Sequence, residues 1–169
     1  MADRSPSQTI GPFFHEGLRW ADGASVTGGS GAKVVIAGRM TDGAGVAVAD
    51  AMVETWQAAA AQAPAASGKP HGFARVETAR DGAFRIETTL PPGEAPCLEV
   101  MIFARGLLKA LHTRVYLAPE AAVRKDPALA SIAASPRVGT LVARRQGEGD
   151  YRWDVRLQGD DETVFFELA

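Results

Sequence analysis

Hydrophobic and polar residues alternate along most of the chain from Lys33 onward, in short runs separated by turns that contain Gly and Pro. Alternation of this kind places apolar side chains on one face and is typical of half-buried β-strands. Strands are predicted at 33–40, 53–56, 73–78, 84–88, 98–105, 113–117, 138–143, 151–158 and 163–168. The pattern therefore predicts an all-β protein, an antiparallel β-sandwich or barrel.

Some segments depart from this alternation. Residues 119–133 contain good helix formers that are interrupted by Pro127, which predicts one or two short helices. Segment 58–70 is rich in Ala, Gln, Pro, Ser and Gly and predicts a surface loop, with a helix in its Ala-rich first half as the alternative. Residues 1–30 carry several aromatic side chains and end in a Gly-rich stretch. We therefore expect an N-terminal arm at 1–30, followed by a β-sandwich domain at 31–169.

The composition of the chain excludes several classes of protein. Its 169 residues suit one domain with an arm, and its net charge of −2 shows no basic excess that would indicate nucleic acid or an anionic membrane as a partner. A single cysteine, Cys97, excludes a disulfide scaffold and a Cys-rich zinc site. The sequence has neither the pattern of a signal peptide nor an apolar stretch long enough to span a bilayer, so we expect a cytoplasmic protein.

The residues that could carry chemistry are few and scattered. His15, His71 and His112 lack the close spacing typical of metal ligands, although the fold could still bring them together. Cys97 begins an apolar strand, which indicates a buried and inert thiol more than a nucleophile. Arg105 ends the most apolar of the predicted strands, so it needs either an internal carboxylate or an anionic ligand as its partner. The residue pattern itself favours the carboxylate.

A series of short motifs gives a more specific indication. They are SQTIGPFFH at 7–15, VETWQA at 53–58, FARG at 103–106, LHTRVY at 111–116, YRWDVRLQG at 151–159 and ETVFF at 162–166. In these motifs the chain resembles the α chains of the protocatechuate 3,4-dioxygenases, within the intradiol ring-cleavage dioxygenase family. Each motif is modest by itself, but their common order along nearly the whole chain makes the resemblance specific.

The resemblance implies both a fold and a reaction. The family has an intradiol-dioxygenase β-sandwich, which agrees with the strands predicted above. Its enzymes cleave protocatechuate (3,4-dihydroxybenzoate) with O₂ between the two hydroxylated carbons and form 3-carboxy-cis,cis-muconate, a step in aromatic catabolism. They use a non-haem Fe(III) that Tyr and His side chains of the β chain hold, and their α and β chains assemble into higher-order hetero-oligomers.

The residues that the resemblance assigns to the iron site are missing from this chain. The regions where β chains carry their Tyr ligands correspond to 58–64 and 90–95, and neither contains a tyrosine. The His-x-His pair of the β chains corresponds to Cys97 and Glu99. The resemblance therefore implies that this chain binds no metal, has no catalytic residues of its own, and is inactive without an iron-binding β subunit.

The same resemblance assigns substrate-pocket residues to this chain, because the active site of the family lies between α and β chains. Thr9, Gly11 and Pro12 of the arm are expected to line the pocket. Phe13 is expected either to form a pocket wall or to pack within the protein. Arg105 is expected to bind the anionic substrate, which reverses the interpretation that the residue pattern favours. The arm and Arg105 would thus complete a pocket whose metal belongs to the partner.

Two alternative functions stay open. The chain could be a transthyretin-like β-sandwich module that binds an aromatic acid or a protein without turnover. It could also be a self-sufficient iron enzyme whose ligands come from its three histidines and two tyrosines. Segments 58–70 and 90–97 depart from the pattern of the family, and they leave the strictness of the substrate specificity undecided.

Overall fold

The computed structural model describes residues 17–19, 22–26, 30–58 and 72–167. Its strands are β1 (Lys33–Thr41), β2 (Met52–Trp56), β3 (Phe73–Glu77), β4 (Ala83–Thr89), β5 (Cys97–Phe103), β6 (Leu111–Tyr116), β7 (Arg144–Arg145), β8 (Asp150–Arg152) and β9 (Val155–Arg156). Between β6 and β7 lie one short α-helix, α1 (Glu120–Val123), and two 3₁₀ helices, Pro127–Leu129 and Pro136–Leu141. The predicted all-β class with short helices is confirmed.

The described strands form two sheets packed on a common core. One sheet has the order β4-β1-β8-β7, with β9 also paired to β1, and the other has the order β3-β2-β5-β6. The second sheet is antiparallel throughout, whereas β8 and β9 run parallel to β1 in the first sheet. The predicted β-sandwich is thus confirmed, with one antiparallel sheet and one mixed sheet.

The core between the sheets is formed by the apolar face of each strand. In β4, Phe84, Ile86 and Thr88 are buried while the residues between them are exposed. Trp153 packs edge-on against Phe84, with ring centroids 6.1 Å apart, and its indole Nε1 donates a hydrogen bond to the Thr140 carbonyl oxygen at 3.0 Å. Burying a large apolar side chain contributes about 1.5–3 kcal/mol, so the alternation seen in the sequence is what drives the two sheets together.

The helical segment between β6 and β7 packs against one end of the sandwich. A second buried cluster there consists of Tyr116, Val123, Leu129, Val138 and Leu141. Asp126 caps the helix Pro127–Leu129, because its Oδ1 accepts a hydrogen bond from the Ala128 backbone N–H at 2.9 Å. The cap fixes Asp126 where its second carboxylate oxygen reaches the hydroxyl of Tyr116 on β6.

The prediction of a strand at 138–143 is wrong. Most of these residues belong to the 3₁₀ helix Pro136–Leu141, and Val142 makes an isolated bridge to β6. The hydroxyl of Ser135 accepts a hydrogen bond from a backbone N–H at 3.2 Å, and the proline that follows occupies the first helical turn. A capping serine followed by proline starts a helix, and this local signal outweighs the apolar residues that indicated a strand.

The strand predicted at 151–158 is interrupted, although its alternation of buried and exposed residues is correct. It is split into β8 and β9, with Trp153 and Asp154 between them. Asp154 Oδ1 accepts a hydrogen bond from the Arg39 backbone N–H at 2.8 Å. A carboxylate therefore takes the place of a backbone acceptor beside β1, and the ladder stops at this point.

No continuous strand forms over residues 163–167, the described part of the last predicted strand. Phe166 makes an isolated bridge to His112 on β6. The hydroxyl of Thr163 accepts a hydrogen bond from the Arg156 backbone N–H at 3.0 Å. A side-chain acceptor thus replaces the backbone acceptor of a regular ladder, and the prediction of a strand here is wrong.

The described end of the predicted arm lies against the sandwich. Val26 N–H donates to the Glu87 carbonyl oxygen at 2.7 Å, and Glu87 N–H donates to the Ala24 carbonyl oxygen at 2.8 Å. These residues therefore extend the first sheet beside β4. The boundary between residues 30 and 31 stays a prediction, and the predicted loop at 58–70 lies outside the described residues after position 58. In the described part of the chain, no helix has the length and apolar character needed to cross a membrane.

Candidate functional site

Of the expected substrate-pocket residues, Arg105 lies in the part of the chain that the structure describes. Thr9, Gly11, Pro12 and Phe13 lie outside the described residues, so their roles stay predictions. Arg105 and its surroundings therefore define the described part of the candidate site.

Two neighbouring strands bring Arg105 next to Asp50. β2 and β5 are antiparallel, and Met52 pairs with Phe103 at the end of their ladder. Continuing this register by two residues places Asp50, before β2, opposite Arg105, after β5. Arg105 Nη2 donates a hydrogen bond to Asp50 Oδ2 at 2.8 Å, within an ion pair. The carboxylate partner that the residue pattern favours for Arg105 is thus present, and it comes from the turn before a neighbouring strand.

Both members of this ion pair are accessible to solvent. The side chain of Arg105 is 59% exposed and that of Asp50 is 39% exposed. No other acceptor among the described residues binds the guanidinium, so its remaining N–H groups are available. An exposed pair contributes only about 0.2–1 kcal/mol to stability. The geometry therefore leaves Arg105 held in place and still able to bind an anion.

A tight turn presents Arg105 at the end of β5. The next residue, Gly106, has a φ of +88°, which is the left-handed region that favours glycine. Leu107 N–H donates to the Ala104 carbonyl oxygen at 3.2 Å and closes the turn. Leu108, in the same loop, is an exposed apolar residue. The backbone thus turns sharply at Arg105 and keeps its side chain on the surface.

A second group of polar residues lies on the outer face of β5 and β6. The register of the two strands pairs Glu99 with Arg114 and Cys97 with Tyr116. Arg114 Nη2 lies 2.7 Å from Glu99 Oε1, and His112 Nε2 lies 2.8 Å from Glu99 Oε2. Both carboxylate oxygens of Glu99 are therefore engaged by side chains of the neighbouring strand.

The helical segment extends this network on its other side. The hydroxyl of Tyr116 donates a hydrogen bond to Asp126 Oδ2 at 2.8 Å. Arg114 Nη1 lies 3.4 Å from that hydroxyl oxygen and 3.8 Å from Asp126 Oδ2. The guanidinium also stands over the ring of Phe166, 6.0 Å from its centroid. Arg114 thus links acidic groups from β5 and from the helical segment. Sequence reasoning missed this network, because the residues come from three separate segments.

Burial and hydrogen bonding change the acid–base properties of this group. Burial raises the pKa of the Cys97 thiol to about 11, although the nearby charge of Arg114 opposes the change. Burial also raises the pKa of Tyr116 well above its usual value. Burial lowers the pKa of Arg114, but hydrogen bonds to Tyr116 and Glu99 outweigh it and hold that pKa above its usual range. At neutral pH the thiol and the phenol are therefore protonated and the guanidinium is charged.

These residues do not fit a ferric ion. By the resemblance described above, Cys97 and Glu99 stand at the positions of the metal-binding His pair. Both carboxylate oxygens of Glu99 are engaged, by His112 and Arg114, and the positive charge of Arg114 would oppose a second cation beside it. Within the described residues no group of three or more His, Cys, Asp or Glu side chains is arranged to hold a metal ion. Two of the three histidines lie outside those residues.

Two cavities of the described structure lie away from Arg105. One, of about 550 Å³, lies between residues 18–19 and 22–24 on one side and strands β3 and β4 on the other. The other, of about 620 Å³, lies beside β8, β9 and the helix Pro136–Leu141. Neither is lined by Arg105, which stands on an open part of the described surface. A ligand at Arg105 would therefore need walls from outside the described residues.

The sequence is similar to those of two curated protocatechuate 3,4-dioxygenase alpha chains. It is 36% identical to the one from Burkholderia cepacia over an alignment of 192 residues that covers 98% of each chain. It is 34% identical to the one from Pseudomonas putida over 199 residues, covering 97% of this chain and 96% of the relative. No family model matches the chain.

The fold is similar to solved structures of ring-cleaving dioxygenases. The TM-score is 0.58 with the 3-chlorocatechol 1,2-dioxygenase from Rhodococcus opacus, at 19% identity, covering 90% of this chain and 71% of that one. It is 0.59 with an intradiol ring-cleavage dioxygenase from Tetranychus urticae, at 14% identity, covering 95% of this chain and 98% of that one. At these identities the similarity concerns the fold, and it confirms the predicted intradiol-type sandwich.

Proposed function

The chain belongs to the family of protocatechuate 3,4-dioxygenase alpha chains, and we propose on this basis that it is the α subunit of a heteromeric protocatechuate 3,4-dioxygenase. The observation that carries the proposal is the 36% identity over 98% of both chains. The enzyme would cleave 3,4-dihydroxybenzoate with O₂ between the hydroxylated carbons and form 3-carboxy-cis,cis-muconate. Both oxygen atoms of O₂ enter this product.

An iron-binding β subunit is the partner that this proposal requires. Intradiol dioxygenases depend on non-haem iron, and we assign the Fe(III) to the β subunit. The contacts of Glu99 with His112 and Arg114, which leave neither carboxylate oxygen free for a metal ion, support this assignment. The chain would contribute substrate-binding residues and assembly surface to a higher-order hetero-oligomer, and it would be inactive without its partner.

Arg105 would bind the anionic substrate where the two subunits meet. Protocatechuate carries a carboxylate, and its ring gains negative charge when its hydroxyl groups ionise. A hydrogen bond between charged groups contributes about 1.5–3 kcal/mol, which is enough to favour an anionic over a neutral ligand. The exposed guanidinium, with N–H groups that no described residue engages, supports this role.

The N-terminal arm would complete the same pocket. Thr9, Gly11 and Pro12 would line it, because a Gly and a Pro provide a compact backbone of defined conformation beside a flat ring. Phe13 would form part of its wall. The proposal keeps the predicted division into an arm at 1–30 and a sandwich domain at 31–169. It also keeps a cytoplasmic location, which rests on the single cysteine of the sequence.

Co-expression with the β chain of a protocatechuate 3,4-dioxygenase tests the proposal. We expect a stable, coloured complex that contains iron and consumes O₂ when protocatechuate is added. The chain purified by itself should contain no iron and show no turnover. Failure to associate with an intradiol β chain, or turnover by the isolated chain, would contradict the proposal. Binding of protocatechuate by the isolated chain, with no complex and no turnover, would favour the alternative of a binding module.

A further inference from the structure

We propose that Asp50 is a positioning residue for Arg105, because its carboxylate holds the guanidinium in place before the anionic substrate binds. The inference rests on the proposed function, which assigns substrate binding to Arg105. It adds a second residue, which would not touch the substrate and would act through Arg105. The hydrogen bond of 2.8 Å between Arg105 Nη2 and Asp50 Oδ2 is the contact that carries it.

The backbone around Asp50 is fixed on both sides. The buried hydroxyl of Thr78 donates a hydrogen bond to the Val48 carbonyl oxygen at 2.7 Å and accepts one from the Ala51 N–H at 2.9 Å. The N–H of Asp50 itself donates to the Thr78 carbonyl oxygen at 3.3 Å. Asp50 has a φ of +62°, a conformation that Asp and Asn adopt more readily than most residues. Its carboxylate is therefore attached to a rigid part of the sandwich.

Arg105 is less constrained than Asp50. Its backbone follows the buried end of β5, but its side chain is exposed and long, and a free arginine side chain populates many rotamers. Ordering such a side chain when a ligand binds opposes the binding. The bond to Asp50 removes part of this freedom in advance, which is the physical basis of the proposal.

The carboxylate of Asp50 does not block the guanidinium. Arg105 donates one hydrogen bond to Asp50, through Nη2, and no other described residue accepts from its guanidinium, so further N–H groups can reach a planar carboxylate or a ring oxygen. Both side chains are partly exposed, and solvent therefore screens the competition between Asp50 and an anionic ligand. Screening weakens the repulsion between Asp50 and the ligand more than it weakens the direct, charge-assisted hydrogen bond that orients the guanidinium. The benefit of orienting the Arg105 guanidinium therefore outweighs the competition between Asp50 and an anionic ligand.

The test uses the assembled enzyme with Asp50→Asn in this chain. Asn tolerates the left-handed backbone and has nearly the same size, so the fold is kept. The change replaces the charge-assisted hydrogen bond to Arg105 by a weaker neutral one, and the guanidinium is then held less firmly. We expect KM for protocatechuate to rise about three- to tenfold, with kcat, iron content and melting temperature near the wild-type values. The matched control is Glu87→Gln, which removes the exposed ion pair with Arg85 on the other sheet and should change none of these quantities.

A double-mutant cycle with Arg105→Gln shows whether Asp50 acts through Arg105. We expect Arg105→Gln to raise KM by itself, and Asp50→Asn to have no further effect when it is added to Arg105→Gln. An unchanged or lower KM for Asp50→Asn, together with a raised KM for Arg105→Gln, would overturn the positioning role and leave the proposed function intact. An equal effect of Asp50→Asn in both backgrounds would also overturn it. An unchanged KM for Arg105→Gln would overturn the substrate-binding role of Arg105, and the positioning role with it.

Discussion

Replacing Arg114 by Met should destabilise the assembled protein by about 2 kcal/mol. Met keeps much of the apolar stem but removes the charge and every donor. The lost contacts are those to Glu99 at 2.7 Å, to the Tyr116 hydroxyl at 3.4 Å and to Asp126 at 3.8 Å, together with the stacking on Phe166. A hydrogen bond between charged groups contributes about 1.5–3 kcal/mol and a cation–π contact about 0.5–1 kcal/mol. Since the side chain of Glu99 is 34% exposed, water recovers part of this loss.

Calorimetry of the complex measures the effect of Arg114→Met as a fall in the melting temperature of about 4–8 °C. Arg114→Lys retains the charge without the planar fork and should give a smaller fall. Arg85→Met is the matched control, because Arg85 forms an exposed ion pair with Glu87 and should change the free energy of unfolding by less than about 0.5 kcal/mol. If Arg114→Met matched this control, the network around Glu99 would contribute nothing to stability and the reasoning would be refuted.

The remaining predictions concern the cysteine and one glycine. Cys97 is half-buried, and burial raises its pKa from 9.0 to about 11. Iodoacetamide should therefore alkylate it more slowly in the native protein than in urea, and equal rates would contradict this partial burial. The Cys97 thiol binds its proton more tightly in the folded than in the unfolded protein. Its contribution to the free energy of unfolding is therefore present below pH 9.0 and is lost as the pH rises toward about 11. Cys97→Ala should make the free energy of unfolding depend less on pH in this range. Gly38→Ala should destabilise the protein by about 1–3 kcal/mol, because an added Cβ overlaps the Trp153 carbonyl oxygen and the Phe84 ring. Gly147→Ala, whose Cβ would meet its nearest atom at 3.8 Å, should have little effect, and equal melting temperatures of the two variants would be evidence against this packing.

The strands β1 to β6 could be predicted because their alternation follows from burial of one face. In β5, for example, Leu98, Val100 and Ile102 are fully buried, and the residues between them are partly exposed. The helix Pro136–Leu141 was mistaken for a strand, although Ser135 followed by proline is a helix-start signal that the sequence contains. The break between β8 and β9 could not be predicted, since it depends on Asp154 meeting the backbone of β1.

The sequence could predict individual residues of the candidate site, but it could not predict which residues contact each other there. Its place at the end of an apolar strand and the resemblance both single out Arg105, and the residue pattern predicts either a carboxylate or an anionic ligand as its partner. The identity of that partner depends on how β2 and β5 align, which the two strand sequences do not specify. The network around Glu99 depends in addition on Asp126, which the cap of a short helix places beside β6. The pattern of residues along the chain therefore could not predict the register between distant strands or the packing of the helical segment on β6.

Arg105 and Arg114 show why residue type alone could not separate a ligand-binding arginine from a structural one. Both belong to motifs that carry the resemblance, and both adjoin the sheet β3-β2-β5-β6. The side chain of Arg114 is 23% exposed and is engaged by Glu99, the Tyr116 hydroxyl and an aromatic ring, so it has little capacity left for a ligand. The side chain of Arg105 is 59% exposed and, among the described residues, hydrogen-bonds only to Asp50. An anion that approached from a partner subunit could bind the available donors of Arg105 directly, whereas at Arg114 it would have to displace a carboxylate. This difference supports a substrate-binding role for Arg105 and a stabilising role for Arg114.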